Sequence, residues 1–215
     1  MLREILGALL LTLVVGTVGW FRLQAAPPPD GTLRRVHIPI LMYHYISVPP
    51  DDADKFRLDL SVTPDNFRAQ MKWLKELGYS TITPDDLVAA LTEGHKLPNR
   101  RVLLTFDDGY EDAYINALPV LKEFGFTGTF FIVTRFVDEN RNGYLTWKQV
   151  KEMIHDGMSI QNHSRRHYDM RGRTRDWLLY EIVGPLQTIE AQTGVRPRYF
   201  CYPSGQYDLE TIRTL

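Results

Sequence analysis

The chain has 215 residues, 44% of them hydrophobic, 12% aromatic and 24% charged. That composition suits a globular domain with a real core and excludes a disordered or fibrous chain. With 25 Lys and Arg against 26 Asp and Glu the net charge is −1, so charge implies no nucleic-acid partner, and the single cysteine, Cys201, excludes a disulfide framework or a Cys-rich zinc module.

Ile5 to Phe21 is a run of 17 residues without a charge, flanked by Arg3 and Glu4 on one side and Arg22 on the other. It sits at the lower edge of bilayer-spanning length, and Trp20-Phe21 suits a membrane interface. Three readings stay open: an uncleaved anchor, the apolar part of a secretory signal cleaved near Ala25-Ala26, or a buried core helix. The first two place the rest of the chain outside the cytoplasm and make the membrane a partner through this segment. Residues 1–24 are therefore read as anchor or signal, 25–35 as a stiff Pro-rich linker, and 36–215 as the domain.

From Val36 onward, short apolar or β-branched runs alternate with segments of helical period, the pattern of strand–helix units around a parallel sheet or barrel. Six units are predicted. Ile38 to Tyr43 is strand one, followed by a helix opened by Thr63-Pro64, with Phe67, Met71, Leu74 and Leu77 on one face and Gly78 as its stop. Ser80 to Ile82 is strand two, followed by a helix capped by Thr83-Pro84. Strand three is Arg101 to Phe106, with a helix ending at Gly125, and strand four is Thr129 to Val133, with a helix from Trp147 to Asp156 capped by Thr146. Strand five is Met158 to Gln161, with a helix over about Thr174 to Gln192, and strand six is Tyr199 to Tyr202. Asp208 to Leu215 opens a further helix. A closed barrel takes about eight strands, so one or two units are expected to be missing at the C-terminus.

Strand three ends in Asp107-Asp108-Gly109-Tyr110, and in strand–helix architectures the carboxyl ends of strands form the active face. His163 and His167 follow strand five with three residues between them. One carboxylate and two imidazoles make the three protein ligands of an open catalytic metal site, here Asp108, His163 and His167. Asp107, not needed as a ligand, is placed to take a proton from activated water. The turn Tyr202-Pro203-Ser204-Gly205 can aim backbone N–H groups at an oxyanion. Each element alone also reads as ordinary turn or surface sequence. Their succession at strand ends is the signal.

On these three ordered motifs, Thr105-Phe106-Asp107-Asp108-Gly109, His163-Ser164-Arg165-Arg166-His167 and Tyr202-Pro203-Ser204-Gly205, the sequence resembles the polysaccharide deacetylases of the NodB-homology type, carbohydrate esterase family 4, from about Ile38 to the C-terminus. The resemblance implies an α/β fold, a deformed (β/α) barrel. It also implies removal of N-acetyl groups from N-acetylglucosamine-containing cell-surface polysaccharide, with a divalent metal, most commonly Zn2+. Asp107 falls on the general base and Asp108, His163 and His167 on the metal ligands. Tyr110, Tyr202 and Pro203 fall near the oxyanion and substrate. Phe200 to Gly205 and Pro39 to His44 resemble the branch acting on poly-N-acetylglucosamine.

The sequence departs from the family pattern in two places. Cys201 stands where many members carry an arginine that orients the base, and the late Leu-x-His motif that usually supplies the general acid is absent. His44, at the end of strand one, is either its substitute or a hydrogen-bonded structural residue. These departures motivate a second reading, a membrane-tethered glycan-binding protein with little turnover. His37, His95 and His155 read as solvated, Cys201 as a small buried side chain, and the arginines from Arg165 to Arg175 as a solvated loop. Tyr110, Tyr202 and Trp147 are candidates either for stacking on sugar rings or for core packing.

Overall fold

The computed structural model of the protein describes residues 31, 32 and 34–215. The expected anchor or signal and most of the linker lie outside the described residues, among which no helix is long and apolar enough to cross a membrane. Among the described residues five strands, β1 (Ile40–Tyr43), β2 (Ser80–Thr81), β3 (Arg101–Phe106), β4 (Thr129–Ile132) and β5 (Ser159–Asn162), form one parallel sheet in the order β1-β3-β4-β5, with β2 beside the start of β3. Val102 to Phe106 and all of β4 are buried. Such continuously apolar strands need cover on both faces, and parallel strands need crossover helices, which together account for the alternation seen in the sequence.

The helices are α1 (Lys55–Asp59), α2 (Pro64–Glu76), α3 (Pro84–Thr92), α4 (Leu118–Phe124), α5 (Thr134–Asp138), α6 (Trp147–His155), α7 (Arg175–Thr193) and α8 (Leu209–Thr214). Thr63, Thr83 and Thr146 cap α2, α3 and α6 as predicted, the Thr83 and Thr146 caps being reciprocal boxes with Asp86 and Gln149, and Thr174, expected inside its helix, caps α7. Phe67, Met71 and Leu74 are the buried face of α2. In the core they meet an aromatic stack in which Phe106 lies between Tyr43, at 5.3 Å, and Phe130, at 4.5 Å.

Three expectations change. Tyr199 to Tyr202 is not a strand: it makes one bridge, Phe200 to Asn162, then turns through a short 3-10 segment at Pro203–Gly205. The amides of Arg198 and Tyr199 are both taken by the Gln161 side chain, and Pro203 has no N–H to continue a ladder. β1 starts at Ile40 because Pro39 likewise offers no donor. The helix ending at Gly125 begins as a π turn over Ala113–Ala117, where Pro119 removes the N–H that regular helical bonding would use. The short helices α1 and α5 were not predicted.

Candidate metal centre

The carboxyl ends of β1, β3 and β5 carry His44, the Asp107-Asp108 pair and His163, so the parallel sheet brings to one end what the sequence holds up to 119 residues apart. The Nε2 atoms of His163 and His167 lie 3.3 and 3.1 Å from Asp108 Oδ1, and the three ligand atoms lie within 4.8 Å of one another. Asp108 Oδ1 is buried, yet no hydrogen bond is directed at it. Two imidazole nitrogens crowd an acceptor without donating to it, which is how ligands sit around a shared cation. Tetrahedral ligands about 2.1 Å from zinc stand roughly 3.4 Å apart, so the spacing and the donor set both fit.

The surroundings fix the ligands. His163 Nδ1 donates to the Cys201 carbonyl at 2.9 Å, so its proton sits on Nδ1 and the Nε2 lone pair faces Asp108. Asp108, Ser164 and His167 have φ of 71°, 66° and 59°, left-handed values that cost a non-glycine residue about 1–3 kcal/mol each and persist only where neighbours enforce them. Gly109 follows with φ of 78°, and a Cβ there would stand 3.2 Å from Ile132, so the turn after the two aspartates needs glycine.

The neighbours that hold the histidine loop lie on β5 and α7. Glu181 is fully buried. Its carboxylate accepts from the Arg166 amide at 2.9 Å and from Arg166 Nε at 2.5 Å, and its backbone carbonyl accepts from the Arg165 amide at 3.1 Å. Asn162 Nδ2 donates to the Ile182 carbonyl at 2.8 Å, while its Oδ1 accepts from the Ser164 amide at 2.9 Å. Ser164 Oγ in turn accepts from the His167 amide at 3.0 Å. Neither Glu181 nor Asn162 was singled out from the sequence. The available signal was a glutamate three residues after Leu178 and one before Ile182, on the apolar stripe of a helix, where an ionised side chain must find a buried partner. The expectation of a solvated arginine loop fails at Arg166 for the same reason.

The two aspartates differ electrostatically. Burial pushes the Asp107 carboxyl up, against the lowering influence of His163 and His44. Burial acts on Asp108 in the same sense, but His163 and His167 hold it well below the usual carboxylate range. Burial opposes positive charge at His163, but the Asp108 carboxylate and the Cys201 side chain outweigh it, so this end of the site favours a cation. Asp107 Oδ1 is buried without a partner, and its Oδ2 accepts from the Cys201 thiol at 3.6 Å. Cys201 thus touches the carboxylate that an arginine faces in the family pattern, and is half-buried rather than buried.

Of the remaining candidates, Tyr110 stacks on Tyr45, with ring centroids 3.8 Å apart, and lies near enough to Asp108 to feel its charge. Tyr202 stacks on Tyr207 at 4.5 Å, and Pro203 is buried. These two join the centre by way of the Cys201 backbone. Trp147 donates its indole N–H to Asp138 at 3.0 Å. His37, His95 and His155 are exposed, as expected.

Comparison with known proteins places this geometry in context. The chain is 35% identical over 182 residues to YxkH of Bacillus subtilis, covering 85% of this chain and 62% of that protein. It is 29% identical over 135 residues to the poly-beta-1,6-N-acetyl-D-glucosamine N-deacetylase of Escherichia coli, covering 56% of this chain and 20% of that one. The chain therefore spans under two thirds of the length of these relatives. Among solved structures, the Streptococcus pyogenes deacetylase PplD in complex with acetate superposes with a TM-score of 0.76 at 32% identity, covering 83% of this chain and 79% of PplD. The profile of the family described as Polysaccharide deacetylase matches residues 94–215, from the start of the segment before β3 through all three motifs, and on that match the chain belongs to the polysaccharide deacetylase family.

Proposed function

We propose that this chain is a metal-dependent hydrolase that removes N-acetyl groups from an N-acetylglucosamine-containing polysaccharide outside the cytoplasm, with zinc as the metal and the sheet as that of a deformed (β/α) barrel. The observation that carries the reading is the convergence of Asp108, His163 and His167 beside a buried carboxylate, Asp107, that has one oxygen without a partner. The named activity of the Escherichia coli relative supports the choice of polymer.

A divalent ion held by the triad would supply Lewis-acid polarisation of the acetamide carbonyl and make water acidic enough to attack it near neutral pH. Asp107 accepts the proton of the attacking water at Oδ1, while the Cys201 thiol holds Oδ2 and fixes the direction in which Oδ1 points. Burial, by raising the Asp107 carboxyl, brings this base closer to working pH. His44, close enough to Asp107 to interact with its charge, is the residue assigned to protonate the departing amine as the C–N bond breaks. Backbone N–H groups near Tyr110 and the Tyr202-Pro203 turn are assigned to the oxyanion and the sugar.

The test is acetate release from N-acetylglucosamine oligomers by the full chain, after chelation and again after zinc is restored. Release that stops and returns is expected. A zinc-loaded chain that binds the oligomers but releases no acetate would favour a tethered glycan-binding protein instead.

A further inference from the structure

A second group of ligand-bearing side chains among the described residues adjoins the triad. The ligand atoms of Asp107, His163 and Cys201 lie within 4.8 Å of one another, so the ring of His163 is common to both groups. Asp107 is 6% exposed and His163 2%, and Asp107 Oδ1 is buried with no donor reaching it. Cys201 is half-buried, which leaves this corner a way in. Its sulfur stands 3.6 Å from Asp107 Oδ2. Sulfur and oxygen bound tetrahedrally to one zinc-like ion, at about 2.3 and 2.1 Å, stand about 3.6 Å apart, so the pair already has the bite of two ligands on a shared cation. An arginine at position 201, as in the family pattern, would put a fixed positive charge here and exclude a cation. Cysteine removes that charge and supplies a donor atom.

The triad offers two nitrogens and an oxygen, whereas this corner offers a nitrogen, an oxygen and a sulfur. Sulfur favours soft ions over hard ones. We propose that Asp107, His163 and Cys201 form a second cation site, selective for thiophilic ions such as cadmium. The ion replaces the thiol proton, which leaves to solvent, and the sulfur binds as thiolate. A neutral imidazole carries one lone pair, so His163 serves one ion at a time and the two positions compete. A thiophilic ion in the corner therefore weakens the triad's hold on its own ion and occupies the carboxylate that would accept a proton from water. Soft metals thus act as a brake on the site. That regulatory consequence rests on the deacetylase reading, whereas the binding itself does not.

The test titrates the full chain, stripped of metal by chelation and kept reduced with a thiol-free phosphine, with cadmium and with zinc. Cys201 is the single cysteine of the chain, so the ultraviolet absorption of a thiolate-bound ion reports this position alone. Cadmium should raise that absorption at one equivalent. His167→Ala breaks the triad without touching the corner, and the absorption should persist in it. Cys201→Ser should lower cadmium affinity by roughly 10–100-fold and zinc affinity by much less, because the loss falls on the softer ion. A native chain that binds cadmium without thiolate absorption overturns the proposal. So does absorption that vanishes in His167→Ala, which would put the thiol on the triad's own ion. An equal loss of both affinities in Cys201→Ser overturns it too, by making the cysteine a packing residue. None of these measurements needs turnover: a chain that binds cadmium as expected but releases no acetate keeps the second site and loses the deacetylase reading.

Discussion

Asp107 and Asp108 are adjacent, equally buried and differently surrounded: Asp108 meets two imidazoles, while Asp107 meets one thiol and keeps an oxygen free. Removing one or the other therefore has separable effects. Asp107→Asn keeps the shape and the triad but cannot accept a proton, so deacetylation should fall by roughly 10²–10⁴-fold with one metal ion still bound. His163→Ala removes a ligand and should abolish both activity and stoichiometric metal binding, measured by metal analysis after dialysis. Full activity in either variant would remove the assignment. These residues were legible in sequence because adjacent carboxylates and a His-xxx-His pair each close an apolar run. Cys201 was not: a thiol turned toward a carboxylate has no sequence pattern, and its neighbour comes from 94 positions away.

Among the elements, α7 determines how well the histidine loop is held. The Glu181 carboxylate fixes the Arg166 amide and guanidinium, so Glu181→Ala loosens the loop between the ligands and leaves Arg166 without its partner, while the Arg165 amide keeps its bond to the backbone carbonyl of 181. Metal affinity, measured by chelator competition, should fall by about 10–100-fold, the usual effect of losing a group that orients ligands. Glu181→Gln, which retains an acceptor for the Arg166 amide, should lose less. An unchanged affinity in both would show that the loop holds itself. The capping residue Asp208 offers a pH test. It accepts from the amides of Thr211 and Gly172, which hold its carboxyl down at about 2. A depressed carboxyl stabilises the fold fully above its unfolded value, about 3.9, and loses that contribution as pH falls through the folded one. The difference in thermal midpoint between the native chain and Asp208→Asn should therefore shrink from pH 4 to pH 2. Helices with Thr-Pro or Thr-xx-Gln openings were readable because the cap is local. The expected sixth strand failed because the outcome hinged on a remote side chain, Gln161, capturing its first amide, Tyr199, and that of Arg198 before it.

At the scale of the whole molecule, the parallel order of the strands was implied by the alternation of apolar and helical segments, but the order β1-β3-β4-β5 was not, since pairing between non-consecutive strands leaves no trace in periodicity. Metal binds only the folded chain through this triad, so at a free concentration 100 times its dissociation constant it should add about 2.7 kcal/mol of stability, read as a lower thermal midpoint after chelation. The far-ultraviolet spectrum should barely change on chelation, because the sheet and α7 are held by strand pairing and apolar packing. The left-handed backbone at Asp108 and His167 carries that point further. The amides of Ser164 and Arg166 are held by side chains of β5 and α7, Asn162 and Glu181, so the loop that carries the histidines is shaped by the protein's own hydrogen bonds. Metal capture should be a single fast step whose rate follows access to the carboxyl ends of the strands, with no slower phase for the loop to find its shape.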